Sequence, residues 1–226
     1  MCFSAEASFA ASGVLAASSV AISRIPKERA SVPLSLFPAI FAAHQFTEGV
    51  LWLQNDGVLP DTYKAGALYV YVLIAYVLWP IFVPFAAYSI ESERRRRAIM
   101  MLCQAVGLGV GGMILVGNMG APIDVNVHCC SLSYRVNAPD LLIVPYLFAV
   151  SGPFLASSRR GLVLFGAAVT VSCAAAAALA SAATFPSVWC FFAAVLSGGL
   201  YLHFRTEAGT ASHQPGRSAS RGALAG

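Results

Sequence analysis

The sequence predicts an all-α, polytopic membrane protein: a bundle of seven transmembrane helices, N-terminus outside and C-terminus inside. Three observations carry that expectation. The chain of 226 residues is 58% hydrophobic and only 11% charged, where soluble domains carry about a quarter charged residues. Its apolar residues gather in runs of roughly 20, the length that crosses about 30 Å of hydrocarbon as a helix. Finally, the basic residues fall almost wholly on one side of those runs.

The runs are about Ala5–Ser23, Val32–Leu53, Tyr63–Ile90, Ala98–Gly117, Leu141–Ser157, Leu162–Ala182 and Ser187–Phe204. Within lipid every backbone N–H and C=O needs an internal partner, which favours helices. The alternating pattern of a membrane barrel is absent. Met1 is followed by no basic stretch and no cleavage site of the usual kind, so the first run is expected to stay in the protein. The third run is longer than a span needs and holds Trp79-Pro80 and Pro84, so a kink or tilt is expected there. The sixth is rich in alanine, and the fourth carries Gly107, Gly109, Gly111 and Gly112. Both read as surfaces for close helix packing, and the glycines, lying inside a span, are not a phosphate loop.

Arg24, Lys27 and Arg29, then Arg94 to Arg97, then Arg159 and Arg160, and finally Arg205, Arg217 and Arg221 lie on one side. Only Lys64 and Arg135 lie on the other. This is the positive-inside asymmetry. It accounts for the net charge of +4 and makes Arg94–Arg97 a topology anchor beside anionic headgroups rather than a nucleic-acid surface. Residues 1–205 are thus expected to form the membrane domain, multi-pass in the cell membrane. Residues 206–226, rich in Gly, Ser and Ala, are expected to be a disordered cytoplasmic tail.

The sharpest chemical feature is His44-Gln45-Phe46-Thr47-Glu48-Gly49. His44 and Glu48 share a helix face, with Trp52 one turn further on. An ionisable group at that depth costs on the order of 2–4 kcal/mol unless it meets a partner or a wet cavity, so Glu48 and His44 are candidate functional groups in a site opening outward. The bland alternative is a packing hydrogen bond between helices.

Four of the six cysteines, Cys2, Cys129, Cys130 and Cys190, fall on the outer side with His128. They suit a disulfide, free structural thiols, or a zinc or Cu(I) site. Cys103 and Cys173 read as small apolar fillers. Of the aromatic residues Trp52, Tyr69, Tyr76, Trp79 and Trp189, some suit an interfacial belt, and the deeper ones suit the walls of an apolar pocket beside Glu48.

The opening Met-Cys-Phe-Ser-Ala-Glu, the segment Gln45-x-x-Glu48-Gly49-x-x-Trp52, the pair Trp79-Pro80 with Pro84, and the late Val188-Trp189-Cys190-Phe191-Phe192 together resemble the DUF6629 family of bacterial integral membrane proteins. The resemblance spans nearly all of the membrane region and implies a bacterial membrane location, with no activity attached. Three functions remain in play. One is a binder of a metal ion or a small apolar ligand at an outward-opening site. Another is an intramembrane enzyme, such as an isoprenoid cyclase, using Glu48 as acid or base with His44 assisting. The third is a sensor or scaffold. The bilayer itself is the one certain partner, and oligomeric state is not legible.

Overall fold

The computed structural model describes residues 4–60, 62, 64–120, 123–128, 131–179 and 184–212. The chain is dominated by helices: α1 (Ala5–Ser23), the short α2 (Val32–Ser35), α3 (Phe37–Asn55), α4 (Lys64–Val72), α5 (Trp79–Ile90), α6 (Arg94–Asn118), α7 (Ile143–Leu155), α8 (Arg160–Leu179), α9 (Phe185–Gly198) and α10 (Leu200–Ser212). Five helical stretches are long and apolar enough to cross a membrane: Ala5–Ser23, Lys64–Ile90, Arg94–Asn118, Arg160–Ala178 and Ser187–Thr206. The helix α3 has the length, but His44, Gln45, Thr47, Glu48 and Gln54 lower its hydropathy. The apolar helix α7 is short, with 13 residues.

Departures from seven plain helices have local causes. The second run breaks at Leu36, between Pro33 and Pro38, each of which opens a helix where no N–H is needed. The third run is continuous, yet Leu73–Leu78 between α4 and α5 is wound as a π-helix. In that register residue 80 should donate to Ala75, but Pro80 has no N–H. The Tyr146 hydroxyl of α7 takes over, donating to the Ala75 carbonyl at 2.5 Å. The last run divides at Gly199, and its second half continues to Ser212, beyond the expected boundary at 205. The rest of the expected tail lies outside the described residues.

The all-α expectation needs one correction. Between α6 and α7 the chain forms an antiparallel hairpin, β1 (Asp124–His128) and β2 (Ser131–Arg135), with Val125 opposite Tyr134 and Val127 opposite Leu132. The alternation of Val125 and Val127, and of Leu132 and Tyr134, is the period-two pattern of a strand with one buried face. Leu132 and Tyr134 are buried against the helices.

Close packing sets the helix arrangement. Gly107 and Gly111, four residues apart on α6, face the carbonyls of Pro80 and Val77, and a Cβ at Gly107 would overlap the Pro80 oxygen. Gly109 and Gly112 face open space, so only half of the glycine run serves the packing expected of it. The helix α1 lies along α3, where Ser12 donates to the Ala42 carbonyl at 2.8 Å. The main core runs through α3, α5, α7, α8 and α9, and a smaller one at the hairpin end joins Leu51, Trp52, Tyr71, Leu132 and Tyr134.

At the opposite end, Glu91 ties two connections together. Its carboxylate accepts from the backbone N–H groups of Ser92 and Glu93, both at 3.0 Å, and of Ser158 at 2.7 Å, and from the hydroxyls of Ser157 and Ser158. Burial works against the charge, but the Ser158 and Glu93 N–H groups, the Ser158 hydroxyl and the Ser92 N–H outweigh it and hold the carboxyl down at about 2. Arg96 adds bonds to the carbonyls of Ala156 and Ser157 and an ion pair with Glu93 at 2.6 Å. Within the arginine run, Arg96 therefore fastens helices as well as adding to the charge asymmetry.

Candidate functional site

Glu48 and His44 are both interior, at 2% and 0% exposure. They share the buried face of α3 but do not pair with each other. Glu48 instead accepts from Gln45 Nε2 at 3.3 Å, one turn back on α3, and from the Ser187 hydroxyl at the start of α9. The His44 ring stacks on Tyr71 of α4, with centroids 4.3 Å apart, and Tyr71 stacks on Tyr134 of the hairpin at 3.9 Å. A column of three rings thus runs from the middle of α3 to the hairpin.

The polar atoms of this column are poorly matched. Both ring nitrogens of His44, Gln45 Oε1, Trp52 Nε1 and the hydroxyls of Tyr71 and Tyr134 are buried with no partner in hydrogen-bonding geometry. Buried side chains of this kind are bonded in the large majority of cases. Each unmatched group costs about 1–3 kcal/mol, so a cluster of them marks a place where the protein forgoes stability.

Next to this cluster, on the side away from the hairpin, lies an aromatic cleft. Phe41, Trp79, Tyr146, Phe154, Trp189 and Cys190 are among its walls. Trp79 stacks on Phe41 at 4.2 Å, and Trp189 is fixed by donating to the Val169 carbonyl at 3.3 Å. The empty space is about 420 Å³ counted to its open side, though only about 30 Å³ is wide enough to centre a water molecule, so it is a slot between ring faces. Cys190 joins the two regions: it lines the slot and lies one turn from Ser187, the Glu48 partner, close enough to feel the Glu48 charge. Helix side chains lean toward the N-terminus, so Glu48 and His44 on α3 both lean toward the Phe41 end, where the slot begins.

The expected site residues divide as follows. Trp52 is buried in the hairpin-end core, Trp79 and Trp189 wall the slot, and Tyr76 packs, half-buried, between the two cores. Tyr69 does not belong to the pocket: it is 47% exposed on the outside of the bundle. Seven-residue spacing would place Tyr69 and Tyr76 on one face of an uninterrupted α-helix, but the π-turn between them shifts the register. Tyr71 comes inward instead.

Cys190 is buried, and it is a free thiol like Cys103 and Cys173. Cys2, Cys129 and Cys130 lie outside the described residues, as does the His128 side chain, so the expected zinc or copper set falls there except for Cys190. Among the described residues, no three His, Cys, Asp or Glu side chains converge as a metal site. The expected outward opening also meets a correction: the hairpin lies over that end of the cluster, and the open space adjoins Glu48 on the other side.

Sequence reasoning missed Ser187, Tyr71 and Tyr134. Ser187 is 139 positions from the carboxylate it serves, and no local pattern announces such a pair. Tyr134 had a local signal in the alternation of β2.

No curated protein and no solved structure matches the chain. A family model described as a family of unknown function, DUF6629, matches residues 1–215. The chain belongs to the DUF6629 family.

Proposed function

We propose that this chain is a multi-pass protein of the cell membrane, crossing it seven times with the N-terminus outside, and that it binds a small ligand with an apolar body and one polar end. The body lies in the slot between Phe41, Trp79, Tyr146 and Trp189, and the polar end meets Glu48 and the unmatched atoms around His44. One observation carries the reading: unmatched polar atoms and a carboxyl group adjoin aromatic walls in the bundle interior. Ligand sites are mostly apolar with a few convergent polar groups, and pocket and polar cluster here meet at Cys190. The topology rests on the distribution of Lys and Arg.

The test uses a substitution in the slot wall that leaves Glu48 alone. Ala193, on α9, borders the slot, and Ala193→Phe fills part of it. Native mass spectrometry of wild-type protein released from nanodiscs should show a bound small molecule distinct from bulk lipid, at several-fold lower occupancy in Ala193→Phe. Equal occupancy in both proteins, or an empty wild type that also takes up no added amphiphile, would sink the ligand reading.

A further inference from the structure

We infer that the ligand is a lipophilic organic cation, an amine or ammonium group on a slender apolar body; this rests on the ligand-binding reading above. The first observation concerns what Glu48 receives. Both of its hydrogen bonds come from donors, Gln45 Nε2 to one oxygen and Ser187 Oγ to the other. That arrangement suits an ionised carboxylate, which only accepts.

The second observation concerns its counter-ion. Among the described residues the ion pair present is Arg96–Glu93, at the far end of the bundle. His44 offers no substitute, since its ring stacks on Tyr71 and neither nitrogen bonds to anything. A buried carboxylate without a partner of opposite charge is strongly unfavourable, and a cation in the slot would relieve it.

The third observation is the wall itself. Seven of the twelve residues lining the slot are Phe, Tyr or Trp, and none is Lys, Arg or His. Ring faces carry the negative part of the aromatic quadrupole and attract cations, most strongly where water is excluded. A carboxylate at one end of an aromatic slot therefore favours a positive head over a neutral one and repels a negative one. An alcohol would satisfy the polar atoms but leave the charge of Glu48 uncompensated.

The experiment compares three chains of equal length that differ in head charge: decyltrimethylammonium, decanol and decyl sulfate. Each is titrated below its micelle concentration into wild-type protein in phosphatidylcholine nanodiscs, with tryptophan fluorescence as readout and empty nanodiscs subtracted. The ammonium compound should bind saturably at least tenfold more tightly than decanol, and the sulfate not at all. Glu48→Gln should bring the ammonium compound down to the level of decanol while decanol is unaffected.

If decanol binds as tightly as the ammonium compound to wild type, the cation inference fails and the ligand reading stands. If none of the three binds saturably, both fail. Should Glu48→Gln not fold, the wild-type series still decides. Trp79→Leu then serves as the second variant: it removes a ring and keeps the carboxylate, and should weaken the ammonium compound at least threefold more than decanol. Equal weakening would remove the aromatic part of the inference.

Discussion

Two buried carboxyl groups, Glu48 and Glu91, lie at 2% and 3% exposure in the same chain, and their surroundings differ in kind. Glu91 is met by three backbone N–H groups and two hydroxyls from two separate connections. Glu48 is met by one amide and one hydroxyl, among neighbours whose own polar atoms go unmatched. A carboxylate surrounded by donors is finished: it fastens α5–α6 to α7–α8 and has nothing left to bind. A carboxylate left short, beside an aromatic slot, has capacity to spare. Burial alone therefore says little about a membrane acid, and counting its donors separates fastener from site.

The comparison assumes that each acid acts locally on a common scaffold, and the scaffold can be tested first, with the largest expected effect. The contact of α5 with α6 holds both centres, because Glu91 directly follows α5 while Trp79 and Val83 of α5 wall the slot. Gly107→Ala drives a methyl group into the Pro80 carbonyl. It should cost about 3 kcal/mol or more in thermal or denaturant unfolding, at the upper end of overpacking penalties, and should weaken ligand binding as well. Gly109→Ala, two residues away with open space beside it, should be neutral or stabilise by up to about 1 kcal/mol through helix propensity. Equal effects at the two positions would mean that the α5–α6 approach is not what holds the bundle.

Next in size is the fastener. Glu91→Gln retains shape but turns one accepting oxygen into an NH2 group facing donors, and should destabilise by roughly 2–3 kcal/mol near neutral pH. The same residue sets a pH window. Its folded carboxyl is held at about 2 against an ordinary 4.5, so its contribution is complete above about 4.5 and is lost as pH falls toward 2. Allowing for solvent screening, that part is on the order of 2 kcal/mol. Wild type should lose stability over this window more steeply than Glu91→Gln, and parallel pH curves would show that the carboxylate is not the fastener.

How far this contrast was legible in the sequence depends on the distance between partners. Runs of apolar residues and the one-sided arginines gave away the helical membrane class, since hydropathy needs no knowledge of contacts. Glu48 and His44 stood out as polar residues within an apolar helix. What surrounds them did not, because Ser187 and Tyr134 arrive from remote segments. The π-turn before Pro80 rotated Tyr71 inward and Tyr69 outward, and spacing alone assumes an unbroken α-helix. Within Arg94–Arg97, charge asymmetry explained the residues as a block. Only geometry singles out Arg96, whose guanidinium reaches the carbonyls of Ala156 and Ser157. The hairpin was the avoidable miss, given its alternating Val125, Val127, Leu132 and Tyr134.

The smallest expected change in stability is the most informative one. Glu48→Gln is the same chemical substitution as Glu91→Gln, at similar burial. It removes a charge that has only two donors, and the Gln oxygen can still accept from Ser187 or Gln45. Replacing an under-compensated buried charge by a neutral group of equal shape is often neutral or stabilising. Glu48→Gln should therefore change unfolding free energy by less than about 1 kcal/mol, with a slight gain as probable as a loss, while ligand discrimination collapses. A loss as large as that of Glu91→Gln would make Glu48 a second fastener, bonded to Ser187 for the sake of α9, and the contrast between the two ends of the bundle would disappear.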